Sequence, residues 1–204
     1  MTRSTVLDAS MEFGNEKSPL RSMYDSLTSL PNRSAFYARL ERALDVFHPP
    51  HQTVIVVFLD IDDFKSLNAT FGRQIGDEVL RTAAARLTQL IPAEDMVSRL
   101  SNDEFGCVII STPIPEQSSS ITRALSAAVS APMRIGALEF AVHASIGVAI
   151  NVNGDATASA MMERAASAMY RAKFNGTGYT FFENRIASTE SGVVAGSVQS
   201  RWVL

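Results

Sequence analysis

One cysteine, Cys107, stands in 204 residues. That scarcity excludes an internal disulfide framework and the usual clustered-cysteine metal sites. Its place in the apolar run Phe105 to Ile110 reads as a small buried hydrophobe. Long apolar stretches are missing too. The longest, Val54 to Leu59, is the size of a strand, and the start of the chain holds no signal-peptide core. The expectation is a cytoplasmic chain with no membrane insertion. Charge of one sign is also lacking, with 18 Lys and Arg against 21 Asp and Glu and a net charge of −3. Such a balance offers no field for gripping nucleic acid by its phosphates, so any phosphate ligand must be held locally. His48, His51 and His143 share no metal-ligand spacing, and no internal repeat is present. What the chain does have is apolar residues, 46% of the total, enough to fill the core of one domain of ordinary size.

Apolar spacing sets out the elements. Residues 1–20 read as a flexible leader or the end of a signalling helix, 21–185 as the domain, and 186–204 as a loose Ser- and Gly-rich tail. After a turn-rich segment, Asp25 to Arg33, a helix is expected over Arg33 to Phe47, with Pro31 near its start and Pro49-Pro50 closing it. Val54 to Leu59 is a β-branched run typical of a central strand covered on both faces. A short helix follows over Phe64 to Phe71, Gly72 and Gly76 bracket a turn, and a longer helix carries Ile75, Val79, Leu80, Ala83, Leu87 and Ile91 on one face. Met96 to Leu100 and Glu104 to Ile110 read as a hairpin. A helix over Pro115 to Val129 comes next. Leu138 to Ile150 reads as a strand with Gly147 as a weak point. Thr157 is placed to cap a helix over Ala158 to Phe174, its Met161-Met162 pair facing the core, and Tyr179 to Phe182 makes a last strand. A hairpin following a strand and a helix implies a mixed sheet, not a doubly wound parallel one. The expected class is α/β (α+β), palm-like and ferredoxin-related.

Carboxylates gather at strand ends in this scheme. Asp60 ends the central strand, and Asp103 and Glu104 sit at the turn of the hairpin. If the two strands are neighbours, the acids meet at one sheet edge, where they would repel unless a cation or a proton is shared. Mg²⁺ commonly combines one or two carboxylates with substrate phosphates. The alternative is that Asp60 and Asp62 only cap the short helix. Lys65 lies in the first turn of that helix, where the free N–H groups of Asp63 and Phe64 would favour phosphate. Asn68 and Asp77 form an amide–carboxylate pair able to read a guanine edge, although each alone would more often be a turn or cap residue.

Four segments carry a resemblance. F-L-D-I-D-D-F-K-S-L-N-A-T-F-G-R-Q-I-G-D-E-V-L, from Phe58 to Leu80, resembles the nucleotide-binding stretch of the GGDEF (diguanylate cyclase) family. R-L-S-N-D-E-F, from Arg99 to Phe105, is similar to its signature hairpin. D-S-L-T-S-L-P-N-R resembles its opening motif, and A-M-Y-R-A-K, from Ala168 to Lys173, its last helix. The resemblance implies a GGDEF fold with a five-stranded mixed sheet flanked by helices. It implies condensation of two GTP into cyclic di-GMP with release of pyrophosphate, in a transient homodimer. It implies a divalent ion, Mg²⁺ or Mn²⁺, on Asp60, Asp103 and the Ile61 carbonyl, with Glu104 aiding the metal or the attacking hydroxyl. Lys65 and Lys173 would hold phosphates, and Asn68 and Asp77 would recognise guanine.

The chain departs from that family at several points. Ser101 and Asn102 replace the two signature glycines, which let the backbone turn tightly and the nucleotide approach. Asn tolerates positive φ, so a turn can still form, but side chains there crowd a ligand. Ser29, Arg73 and Thr177 replace a usual glycine, a common histidine and a frequent phosphate-binding arginine. The product-inhibition motif keeps Asp95 but has Pro92 in place of its arginine, so tight feedback inhibition is not expected. The competing reading is a degenerate, non-catalytic domain that binds GTP or serves as a regulatory or dimerisation module.

Overall fold

The computed structural model describes residues 23–46, 52–111, 115–151 and 156–183. The leader and tail expected at 1–20 and 186–204 lie outside these, as do Phe47, His48, Pro49-Pro50 and His51. Helix α1 (Arg33–Asp45) leads to strand β1 (Thr53–Ile61), helices α2 (Phe64–Phe71) and α3 (Arg73–Leu90), and the hairpin β2 (Met96–Arg99) and β3 (Glu104–Ser111). Then come α4 (Pro115–Ser130), β4 (Met133–Ile135), β5 (Leu138–Phe140), β6 (Ala144–Asn151), α5 (Ala158–Asn175) and β7 (Tyr179–Phe181). The main sheet has five strands in the order β2-β3-β1-β6-β7. Among the described strands of this sheet, β6 and β7 alone pair in parallel, so the sheet is mixed, as the order of elements implies.

Alternation along β1 divides the interior. Ile55, Val57, Leu59 and Ile61 pack under α2, α3 and α4. Val54, Val56 and Phe58 pack under α1 and α5, with Met161 and Met162 among them. Both faces are therefore covered, which a continuous apolar run requires. Asp60 keeps the phase of Val56 and Phe58, so it emerges on the α5 side. Cys107 is buried, and burial pushes its thiol up to about 12, which leaves it unreactive.

Helix ends follow local chemistry. Asn32, next to Pro31, caps α1, its side-chain oxygen accepting from the N–H groups of Ser34 and Ala35. Thr157 caps α5 by accepting from Ala160 N–H at 3.2 Å. Gly76 does not bracket a turn. Gly72, at φ 85°, makes the α2–α3 corner alone, and Gly76 lies buried inside α3. The stretch Leu138 to Ile150 is not one strand. Residues 138–140 pair back onto Met133–Ile135 through Gly136, at φ 62°, and β6 begins only at Ala144. Alternation looks the same in a side hairpin as in a central strand, so the pattern alone does not mark the break. Phe140 of this hairpin meets Phe71 edge-on at 5.0 Å and steadies the end of α2.

Ser29 adopts φ 60° in the turn before α1. A non-glycine residue there costs roughly 1–2 kcal/mol, partly offset in glycine by its greater freedom when unfolded. Ser29→Gly is expected to raise stability by about 0.5–1 kcal/mol, read from the urea midpoint.

Candidate active site

The β1–β3 register places Asp60 directly opposite Glu104, with Ser145 of β6 on its other side. Asp103 precedes Glu104, and its carbonyl accepts from Ile61 N–H at 3.1 Å, closing the ladder beside the acids. Strand ends thus bring Asp60, Asp103 and Glu104 to one sheet edge. The helix-capping alternative for Asp60 and Asp62 does not hold. Asp63 is the N-cap of α2, in a left-handed conformation (φ 55°), and no side chain caps that end. Asp62 instead accepts from Ser145 Oγ at 2.9 Å.

Electrostatics at this edge favour a cation. Burial, and next the charge of Asp60, push the Asp103 carboxyl above the usual carboxylate range. Burial also raises Asp62, with Ser145 and Lys173 pulling it back only in part. Lys173, reaching in from the last turn of α5, sets its ammonium 2.5 Å from Asp60 Oδ1 and 3.9 Å from Asp62 Oδ1. Burial lowers its affinity for the proton, but the hydrogen bond to Asp60 and the charges of Asp60, Asp62 and Asp103 outweigh that and raise it. A positive charge therefore already sits where two strand-end acids demand one. The donors are hard oxygens of the kind Mg²⁺ or Mn²⁺ takes. No three acidic, histidine or cysteine side chains converge to hold an ion among the described residues. An ion with one or two carboxylates here would complete its shell from carbonyl, water and phosphate oxygens.

The remaining expected residues lie on the next two helices. Asp63 and Phe64 start α2 at its uncapped end, and Lys65 stands exposed in its first turn. Asn68 is one helical turn further on, its Oδ1 buried without a hydrogen-bond partner. It faces Gly76, one residue before the half-buried Asp77. Arg73 is exposed at the start of α3 and Thr177 half-buried beyond α5, where its hydroxyl donates to Tyr179 O. Asp95 accepts from Ile110 N–H at 2.9 Å, a bond that ties the α3–β2 loop to β3.

Sequence reasoning missed what holds the hairpin. Arg99 Nε donates to the carbonyls of Ser101 (3.1 Å) and Asn102 (3.2 Å), and Nη2 donates again to Asn102. Its Nη1 reaches Asp25 Oδ1 at 3.0 Å, in the turn before α1. Neither Ser101 nor Asn102 has positive φ; among the described non-glycine residues only Ser29 and Asp63 do. The turn therefore needs no glycine, and the expected reliance on an Asn at positive φ is corrected: a guanidinium fork gathers the carbonyls instead. An arginine at the base of a tight hairpin was the available signal.

Burial opposes the charge on Asp25, yet hydrogen bonds from the Thr28 hydroxyl and N–H, together with Arg99, win and hold its carboxyl below the usual range. A carboxylate depressed on folding stabilises the fold above its unfolded pKa, and the gain fades as pH falls through the folded value. Asp25→Asn should therefore be less stable than the parent at pH 7. The gap should narrow as pH falls below about 4, the unfolded value, in urea titrations run down a pH series.

Comparison with known proteins identifies the frame around these groups. The family model described as "Diguanylate cyclase, GGDEF domain" matches residues 22–178. This chain belongs to the GGDEF family. The bifunctional diguanylate cyclase/cyclic di-GMP phosphodiesterase MucR of Pseudomonas aeruginosa is 34% identical over 183 residues, covering 89% of this chain and 27% of MucR. The crystal structure of the DgcB GGDEF domain from Caulobacter crescentus in complex with c-di-GMP superposes with a TM-score of 0.73. The two are 27% identical over 80% of this chain and 94% of that one. The GGDEF domain of TpbB (YfiN) from Pseudomonas aeruginosa gives 0.71 at 34% identity, over 78% and 94%. The chain spans about a quarter of the length of the curated relatives it matches first, 27% of MucR and 21% of the signalling protein YkoW of Bacillus subtilis. GGDEF membership ties the chain to cyclic di-GMP signalling. No described helix is long and apolar enough to cross a membrane.

Proposed function

We propose that this chain is a diguanylate cyclase half-site, joining with a second copy to condense two GTP into cyclic di-GMP and pyrophosphate. The observation that carries the reading is the register of β1 on β3, which aligns Asp60 with Glu104 and sets Asp103 beside them. Asp60 and Asp103, with the Ile61 carbonyl, would hold Mg²⁺ or Mn²⁺, and Glu104 would aid the metal or the attacking hydroxyl from beside them. When bound, the ion supplies charge neutralisation to the triphosphate and acidifies the attacking hydroxyl. The uncapped start of α2, with the N–H groups of Asp63 and Phe64, offers donors to phosphate, and Lys65 adds a point charge. Asn68 and Asp77 grip the guanine edge. Lys173 exchanges Asp60 for phosphate oxygen once the acids have another counter-charge. In each half-reaction the 3′-oxygen of one GTP forms a bond to the α-phosphorus of the other. The bond from that phosphorus to the bridging oxygen breaks, pyrophosphate leaves, and the hydroxyl proton passes to Glu104 or solvent. One site binds one nucleotide, so two copies must face each other, and the alignment they provide removes most of the entropic cost. The near-neutral charge supports a small nucleotide, not a nucleic acid, as ligand, and supply of GTP and Mg²⁺ suits the cytoplasm.

A second reading, a non-catalytic GGDEF domain that binds GTP or regulates by dimerising, is favoured by one contact. Ser101 Oγ donates to Glu104 Oε2 at 2.5 Å and occupies the carboxylate expected to work. Incubation of the purified chain with GTP and Mg²⁺, read by chromatography for cyclic di-GMP and pyrophosphate, separates the two. Product supports the cyclase, and GTP binding without product supports the second reading. The turn forms without glycine, so Ser101→Gly is expected to act through Glu104 alone. Freeing one charged hydrogen bond should raise turnover about three- to tenfold, with a small fall in melting temperature from glycine's greater freedom when unfolded. Unchanged turnover would show that the hydroxyl does not restrain Glu104.

A further inference from the structure

Gly76 sits in the body of α3, at an ordinary helical φ, where helix propensity favours alanine over glycine. No turn or positive φ explains it. Space does. A Cβ built on Gly76 would lie 1.9 Å from Asn68 Oδ1 and 3.0 Å from its Cγ, with Phe64 Cζ at 3.1 Å. The nearest obstacle is thus the end of the Asn68 side chain and not backbone. Asn68 Oδ1 is buried there with no partner, so one end of the amide is sealed against the α3 backbone and only the other is available to a ligand. With Oδ1 sealed, the amide N–H groups are the end left to donate to a ligand.

We propose that Gly76 is the positioning residue that sets nucleobase specificity, by holding the Asn68 amide in the one orientation that reads guanine. The inference rests on the guanine-reading role given above to Asn68. A fixed amide offers one donor–acceptor pattern, and a base with the opposite pattern leaves it unpaired. A side chain at 76 swings Asn68 out of that orientation and removes the discrimination while leaving the phosphate and metal groups untouched.

The test is calorimetric binding of GTP and ATP, with Mg²⁺ present, to the intact chain and to Asn68→Ala, Gly76→Ala and the double variant. Gly76→Ala is expected to weaken GTP about tenfold, as Asn68→Ala does, to leave ATP unchanged, and to add nothing in the double variant. The double variant removes the clash with Asn68 and leaves only the Phe64 ring tip, 3.1 Å away, to give, so it should melt close to Asn68→Ala even if Gly76→Ala melts early. GTP binding by Gly76→Ala equal to wild type overturns the inference, as does a loss that adds in full to that of Asn68→Ala. Those outcomes leave the cyclase reading standing. Wild type that fails to prefer GTP, or Asn68→Ala that binds it normally, overturns the guanine-reading role and this inference with it.

Discussion

Gly147→Ala is expected to cost about 3 kcal/mol or more, the largest loss of stability from adding one methyl group to this domain. The strand residue lies under α5, and a Cβ there would stand 2.0 Å from the Ala165 carbonyl oxygen and 2.2 Å from Met169 N. Both obstacles are helix backbone. No rotamer change relieves them; the whole of α5 must lift from β6. Its inner face is lined by Ala165, Ala168, Met169 and Ala172, all buried, so lifting it opens space along the full contact. Gly106 is the control. A Cβ there meets Leu100 Cδ1 and Phe36 Cε2 at 2.8 Å, both ends of side chains that can shift. Gly106→Ala should cost clearly less. Urea titrations of the two variants decide it: equal losses would mean that α5 can slide and that the close approach at Gly147 is not a fixed feature. Because α5 also carries Lys173, the lifted helix would draw its ammonium away from Asp60.

Residues that announce themselves by type and spacing were legible in the sequence. The run Val54 to Leu59 could only be a strand buried on both faces, and its last alternation step fixes the side on which Asp60 emerges. A hairpin ending in Asp103-Glu104 beside such a strand brings acids together whatever the details of the turn. Less legible were features that depend on a partner far along the chain. Gly147 looked like a weakness in a strand, because sequence does not show a helix lying on it. Gly76 looked like punctuation for the same reason. The hairpin at Met133–Phe140 imitates a strand because alternation is local while pairing is not. Arg99 was passed over because its targets are two backbone carbonyls, which carry no sequence signature, and a carboxylate 74 residues earlier in the chain, Asp25. The pairing of Lys173 with Asp60 was not read either; it reflects the charge that the acids impose on whatever cation is nearest.

The proposed chemistry stands or falls on Asp60, whose replacement by asparagine should separate activity from folding. Asparagine keeps the shape and removes the charge. The ion pair lost is with a lysine whose side chain is 43% exposed, so its contribution is small, about 1 kcal/mol or less. Asp103, freed of a neighbouring negative charge, should ionise more readily and offset part of that. Stability should therefore change little. Catalysis should not survive so well. Holding a divalent ion against a triphosphate is worth several kcal/mol in the transition state, so cyclic di-GMP formation is expected to fall on the order of 10³-fold at saturating GTP. GTP binding measured in EDTA should be kept, because Asn68, Asp77 and the start of α2 do not depend on Asp60. The pair of measurements is turnover by product chromatography and melting by circular dichroism. Activity within tenfold of wild type would remove Asp60 from the metal site. A joint collapse of activity and fold would make it a structural anchor for α5 through Lys173. A lost reaction on an intact fold is the outcome the β1–β3 register requires.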